Sequence, residues 1–233
     1  MTEVLLSAKN LTKRFGGLAA VNNVSIDLVR GQIHAVIGPN GAGKSTLTNL
    51  LSGELPPTSG SIHLADTDIT GWSPQRIARR GLGRSFQKTN VFLPFTVFEN
   101  VRLAAHFDLA QTKQAISLAK LDHRAQTIAA NMSHGEQRQL EVAMCLGGNP
   151  SVLLLDEPLA GMGAEEAERM IELLHTLKTN HAIMLVEHDM DAVFALADAL
   201  TVMVDGRVIA SGTPAAIRAD SGVQAAYLGE EHA

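Results

Sequence analysis

The residues with the plainest chemical capacity lie early in the chain: Gly38, Pro39, Asn40, Gly41, Ala42, Gly43, Lys44, Ser45 and Thr46. The spacing G-x-x-x-x-G-K-S puts glycines where a tight turn needs positive φ or close approach, so backbone N–H groups can face phosphate oxygens. Lys44 then carries charge to the outer phosphates, and Ser45 offers a hydroxyl to Mg²⁺. A second group is Asp156 and Glu157, directly after Ser151–Leu155. One acid can hold Mg²⁺ while the other orients and polarises water; paired acids that merely cap a following helix are the bland alternative. His188 follows the run Ala182–Val186 and stands between Glu187 and Asp189, a position suited to a γ-phosphate contact. Gln87 could present its amide to a metal or a water, although a solvent-facing loop glutamine is as ordinary. Phe15, before Gly16 and Gly17, fits either a base-stacking ring or a core side chain.

These side chains need positioning elements, and the pattern supplies them. Ile33–Ile37 reads as a short buried strand before the glycine loop, and Thr46–Leu51 as a helix after it, its dipole aimed at the phosphates. Ser151–Leu155 is apolar enough on both faces for a central parallel strand, with its acids at the C-terminal end where such sheets hold ligands. Val4–Lys9 and Val21–Leu28 read as strands of an antiparallel flap, and Ser61–Leu64 as another. Ser73 before Pro74 starts a helix that ends at Gly81, and Leu82–Phe86 reads as a strand that delivers Gln87. From Thr96 the character turns helical, with a Thr96/Glu99 capping box, a segment to about His106 and another over Gln111–Leu121. A helix follows Met132–Arg138 and stops at Gly147–Pro150. Lys88–Gly148 is therefore expected to form a helical insert in an α/β core. Glu165–Asn180 is amphipathic, Thr201–Val204 and Arg207–Ala210 flank an Asp205–Gly206 turn, Thr213 and Pro214 start a last helix, and the tail Gln224–Gly229 docks or frays.

At 233 residues the chain suits one large α/β domain with a smaller attached piece. A net charge of −5 gives no support to a large nucleic-acid-binding surface. The single cysteine, Cys145, allows no internal disulfide and no cysteine zinc cluster, and its neighbours mark it as a core thiol in a reducing cytosolic setting. Met1–Lys13 lacks the pattern of a secretory signal, and no run of about 18 apolar residues occurs, so any membrane role is expected to run through a partner.

In this order the pieces resemble the ATP-binding subunit of an ABC transporter over essentially the whole chain. The likeness rests on the Walker A loop at 38–46, Gln87, the signature stretch 132–138, the Walker B strand into Asp156 and Glu157, and the switch histidine His188. It implies an α/β P-loop NTPase core with a mostly parallel sheet, an N-terminal antiparallel β flap and an inserted α-helical subdomain. The core would take residues 1–87 and 149–233, and the subdomain 88–148. ATP and Mg²⁺ are the implied cofactors. The resemblance assigns catalysis to Glu157, His188 and Lys44, and Mg²⁺ to Ser45, Gln87 and Asp156. It assigns nucleotide contacts to Phe15, the 38–46 loop and Gln87, and to Ser133, Gly135 and Glu136 acting across a dimer. Implied partners are a second ATP-binding subunit, integral-membrane permease subunits and, indirectly, a periplasmic binding protein. No nucleic acid is expected, and the setting is the cytoplasmic face of the inner membrane.

Within that superfamily the chain is most similar to the ATPases of branched-chain amino acid importers. The residues are Arg14-Phe15-Gly16-Gly17, Gly83-Arg84-Ser85-Phe86-Gln87, Glu157-Pro158-Leu159-Ala160-Gly161-Met162, Val186-Glu187-His188-Asp189-Met190 and Val223-Gln224-Ala225-Ala226-Tyr227-Leu228-Gly229. Amide or urea importers and lipopolysaccharide exporters share parts of this set. The chain departs from common family motifs at His134, Glu136 and Gly163, and its helical insert looks short. Soluble nucleic-acid ABC ATPases and P-loop small-molecule kinases are the competing classes; the former lack room here for coiled coils or a tandem ATPase, and the signature stretch with Glu157 speaks against the latter.

Overall fold

The computed structural model describes residues 3–88 and 90–224. The chain opens with β1 (Val4–Phe15) and β2 (Leu18–Val29), an antiparallel hairpin in register from Val4↔Val29 to Phe15↔Leu18. β3 (Ile33–Ile37) runs through the glycine loop into α1 (Lys44–Leu51). β4 (Ser59–Leu64), β5 (Thr67–Asp68), α2 (Pro74–Arg80) and β6 (Leu82–Arg84) follow. Next come α3 (Val97–Ala104), α4 (Leu109–Leu118) and α5 (His134–Gly147). The chain continues through β7 (Val152–Asp156), α6 (Ala164–Lys178), β8 (Ala182–Val186) and α7 (Met190–Leu196). It closes with the hairpin β9 (Ala199–Val204) and β10 (Arg207–Gly212), then α8 (Pro214–Ala219) and α9 (Ser221–Val223).

Two sheets result: a four-stranded one, β2-β1-β4-β5, antiparallel throughout, and a six-stranded one, β10-β9-β3-β8-β7-β6, parallel except for β10. β3, β7 and β8 are buried at every position, as strands covered on both faces must be. Their C-terminal ends share one edge, so the 38–43 loop, Asp156–Glu157 and Glu187–His188 emerge side by side. One apolar cluster joins β3, β7 and β8 to buried residues of α3, α4 and α5, among them Val97, Val101, Ile116 and Leu140. A second fills the space between the two sheets, from Leu6, Leu11 and Val24 to Val36, Leu154 and Met184.

The expected elements are present, with informative differences at their edges. β1 and β2 run well past Lys9 and start well before Val21, because register shifts along the hairpin break the two-residue alternation a pattern reading needs. The strand expected over Leu82–Phe86 ends at Arg84. The helix expected over Gln111–Leu121 starts earlier because the Asp108 carboxylate accepts the N–H groups of Ala110 and Gln111, at 2.8 and 3.0 Å. Ser73 precedes α2 as expected, but its hydroxyl makes no cap bond; its backbone carbonyl accepts the Arg76 N–H instead, at 3.0 Å. Cys145 sits at the edge of the core, half-buried, and burial pushes its thiol up to about 12. Of the tail, residues 225–229 lie outside the described residues. Among the described residues, no helix is long and apolar enough to cross a membrane.

Candidate nucleotide site

The loop after β3 is shaped by backbone. Gly38, Gly41 and Gly43 have φ of 152°, 83° and 99°, conformations that side-chain-bearing residues rarely adopt. At Gly43 sterics add to conformation: an added Cβ would run into the Ala20 carbonyl of β2, so the hairpin and the loop are in contact there. Gly43 is also the N-cap of α1, with no side-chain cap bond and no acid in the first turn. The N–H groups of Lys44, Ser45 and Thr46, which a helix cannot pair within itself, are left as donors for an anion. Lys44 Nζ donates to the Gly38 and Pro39 carbonyls, at 2.5 and 3.0 Å. Burial lowers its pKa, while Glu157 and Asp156 oppose the shift by charge. Phe15 ends β1 and is 49 % exposed, and Lys13 Nζ lies 5.3 Å from its ring centre.

The strand ends supply the acids. Asp156 is buried, and its carboxyl is pushed up first by burial and then by Glu157, against the charges of Arg84, Lys44 and Arg138. Glu157 holds φ of 49°, rare for a residue of its kind, while its N–H donates to the Val186 carbonyl at 2.8 Å. Its carboxylate is where Gln87 and His188 meet. Gln87 Nε2 donates to Glu157 Oε1 at 3.4 Å, and His188 Nδ1 lies 3.7 Å from the same oxygen. Gln87, Glu157 and His188, read from distant stretches of sequence, thus form one cluster beside the Lys44 loop.

Three residues that the sequence reading names only as members of motifs prove to be supports. Glu187 is buried, with its carboxyl pushed up by burial, and accepts the N–H groups of Leu159 and His188 at 3.0 and 3.3 Å. It ties the loop after Glu157 to the end of β8. Arg84 reaches back from β6 to α1, donating to Ser52 Oγ and Asn49 Oδ1 at 2.5 and 2.6 Å. Arg138, buried on α5, donates to the Phe86 and Gln87 carbonyls at 3.1 and 2.6 Å and pairs with Glu141 at 2.9 Å. A charge at a position that helical periodicity assigns to the core was the available signal for Arg138.

Ser133, Gly135 and Glu136 lie at the N-terminus of α5 and form a separate place. Ser133 is exposed, and its hydroxyl accepts the Glu136 N–H at 3.2 Å while Glu136 Oε2 accepts the Ser133 N–H at 3.0 Å, a full capping box. The other Glu136 oxygen accepts from Arg124 Nε at 2.8 Å. Among the described residues, no hydrogen bond joins these three to the 38–46 loop of the same chain. Between β6 and α5 runs a groove of about 440 Å³ whose lining includes Arg79, Phe86, His106, Glu141 and Met144.

Sequence comparison agrees with this geometry. The family described as "ABC transporter" matches residues 21–160, and that described as "Branched-chain amino acid ATP-binding cassette transporter" matches residues 207–233. The chain is 40% identical over 255 residues to the high-affinity branched-chain amino acid transport ATP-binding protein LivG of Escherichia coli K12, covering 99% of this chain and 100% of that protein. Identity to the lipopolysaccharide export system ATP-binding protein LptB of the same strain is 32% over 237 residues, covering 97% and 98%. The crystal structure of the ADP conformation of MJ1267, an ATP-binding cassette of an ABC transporter, superposes with a TM-score of 0.89 at 28% identity, over 98% of this chain and 99% of that one. With a glycine loop before α1, an acidic pair ending β7 and a full-length match to ATP-binding subunits, the chain belongs to the ABC transporter family and is one of its ATPases.

Proposed function

We propose that the chain powers an importer of branched-chain or related amino acids, and that residues 1–87 and 149–233 act as its nucleotide-binding core with 88–148 as a helical subdomain. The observation that carries the chemistry is the convergence of Gln87 and His188 on Glu157 Oε1, beside the Lys44 loop. The full-length likeness to LivG carries the substrate class.

In this reading Phe15 stacks on the adenine, and the 38–46 backbone with Lys44 grips the phosphates. Ser45, Asp156 and Gln87 form an all-oxygen donor set that suits Mg²⁺, and the ion when bound neutralises phosphate charge. Glu157 accepts a hydrogen bond from the attacking water and aligns it, while His188 and Lys44 stabilise the charge that spreads over the transferring phosphoryl group. Ser133, Gly135 and the α5 terminus, capped by Glu136, meet the nucleotide of a second ATP-binding subunit. The exposure of Ser133 makes that encounter sterically open. The groove between β6 and α5 receives a permease segment, and the Arg138 bonds to the Phe86 and Gln87 carbonyls link that groove to Glu157. Docking there would hold the chain at the cytoplasmic face of the inner membrane, with a periplasmic binding protein acting through the permease.

Deleting the chain's gene in its source organism and following radiolabelled leucine uptake tests the substrate class. Loss of high-affinity uptake, restored by the native chain and not by Glu157→Gln, is expected. Normal leucine uptake with a defect in urea or amide uptake, or in lipopolysaccharide export, would overturn it.

A further inference from the structure

The N-terminus of α5 already holds an anion, and it comes from the same chain. Glu166, in the first turn of α6, lies 33 residues downstream of Ser133, yet Ser133 Oγ donates to Glu166 Oε1 at 2.7 Å. The Glu166 carboxylate lies so close over Gly135 that an added Cβ there would collide with it. Its other oxygen, Oε2, accepts the Gly163 N–H at 3.4 Å. One carboxylate thus bridges the start of α6 to the start of α5. A second contact reinforces the bridge: the His134 ring packs on Gly161, near enough that an added Cβ would lie 3.2 Å from Cε1. Every partner in this cluster sits either on 133–135 or on the stretch 161–166 that leads away from Glu157.

We infer that Glu166 is an internal stand-in for phosphate, which must let go of Ser133 before Ser133 can bind the triphosphate of a second subunit. The inference rests on the reading that Ser133 makes that contact. Its physical basis is competition: one hydroxyl and one helix terminus face two alternative anions, and a charge-assisted hydrogen bond to the first must break for the second to form. Release of Ser133 also frees the Gly161–Glu166 stretch from α5, so arrival of the second subunit's nucleotide would be felt within a few residues of Glu157. Glu166 is thereby a positioning residue: it touches neither the nucleotide of its own chain nor the attacking water.

The test uses the full chain carrying Glu157→Gln, so that bound ATP accumulates, with dimer formation followed by light scattering as ATP and Mg²⁺ are titrated. Adding Glu166→Ala should lower the half-saturating ATP concentration about fivefold, and Glu166→Gln, which keeps the shape and loses the charge, by a smaller factor. On a Ser133→Ala background, where the dimer is lost, Glu166→Ala should not restore it, since the competition then has no object. An unchanged or raised ATP requirement in both Glu166 variants, with Ser133→Ala still abolishing the dimer, overturns the stand-in role and leaves the Ser133 reading intact. If Ser133→Ala dimerises like its parent, or the parent stays monomeric, the reading beneath falls and the stand-in role falls with it. Unchanged nucleotide affinity of the monomer separates the effect from damage to the 38–46 loop.

Discussion

In the proposed reading α1 and α5 each turn an N-terminus toward phosphate, and the two are finished in opposite ways. α1 starts at a glycine whose positive φ and tight contact with Ala20 exclude a side chain, and its first turn carries no acid. α5 starts at Ser133 inside a full capping box, with a second carboxylate, Glu166, on the same hydroxyl. A cap is worth about 1 kcal/mol to a helix, so α1 forgoes stability to keep its donors free, and α5 keeps the stability with its exposed Ser133 hydroxyl already hydrogen-bonded. The difference teaches where commitment lies: the first site is made by backbone and stands ready, whereas the second is made by side chains and has to be opened.

The largest effect should come where binding and chemistry separate. Glu157→Gln keeps the hydrogen-bonding shape beside Gln87 and His188 and removes the charge proposed to align water. Turnover is expected to fall about a thousandfold, with ATP affinity of the chain nearly unchanged because the α1 terminus is untouched. Phosphate release under single-turnover conditions, against equilibrium titration with a fluorescent nucleotide, measures the two halves. A parallel loss of affinity would mean that the ready site is not independent of its catalytic acid.

Arg138→Met probes the connection between the two ends, since Arg138 lies on α5 and holds the carbonyls that lead to Gln87. It leaves Glu141 buried without its partner, and a loss of about 3 kcal/mol of stability is expected in urea denaturation. Glu141 is already pushed above the usual carboxylate range by burial, which outweighs the Asn90 and Arg138 contacts. A raised folded pKa disfavours the ionised carboxylate in the fold, so the deficit should shrink as pH falls and the folded chain takes up the proton. A deficit that does not change with pH would mean that Arg138 acts through the Phe86 and Gln87 carbonyls alone.

Lys44→Ala tests the ready end directly. The Lys44 ammonium adds a flexible positive charge to the fixed backbone donors of the loop, and its removal should weaken ATP binding about a hundredfold, or roughly 2.7 kcal/mol. Titration with a fluorescent nucleotide checks it, and near-normal affinity would mean that backbone donors alone hold the triphosphate.

The same contrast explains what a linear reading could reach. The ready site was legible because its parts are contiguous: Gly38, Gly41 and Gly43 have the positive φ that their spacing demanded, and β3 and β8 have the bounds that their apolar runs marked. Asp156, Glu157 and His188 were legible because a strand end is a definite place in a parallel sheet. The α5 start was legible through its resemblance to a signature stretch, and its capping box was not. Glu166 contacts Ser133 through tertiary packing alone, and in sequence it is one acid of an ordinary amphipathic helix. The contacts of Glu187 and Arg138 were missed for the same reason, since each acts on backbone groups of other elements that only the fold brings near. The β1–β2 hairpin was shortened because its bulges scramble alternation just where it approaches the 38–46 loop.

The smallest expected effect is the one that makes the comparison quantitative, because the molecule contains a second capping box to serve as a control. At the start of α3, Thr96 Oγ1 accepts the Glu99 N–H at 3.1 Å and Glu99 Oε2 accepts the Thr96 N–H at 2.8 Å. The Ser133 box has nearly the same geometry, at 3.2 and 3.0 Å. Thr96→Ala should therefore cost about 1 kcal/mol of stability with no change in ATP-dependent dimerisation, whereas Ser133→Ala should cost a similar amount and abolish it. Urea denaturation gives the first quantity for each variant and light scattering the second. If Ser133→Ala proves neutral for stability, neither the Glu136 N–H nor the Glu166 carboxylate holds the Ser133 hydroxyl strongly, and the α5 terminus is not held shut. Equal losses in both assays for both variants would instead reduce Ser133 to a helix cap and leave α1 as the molecule's lone anion-binding terminus of the pair.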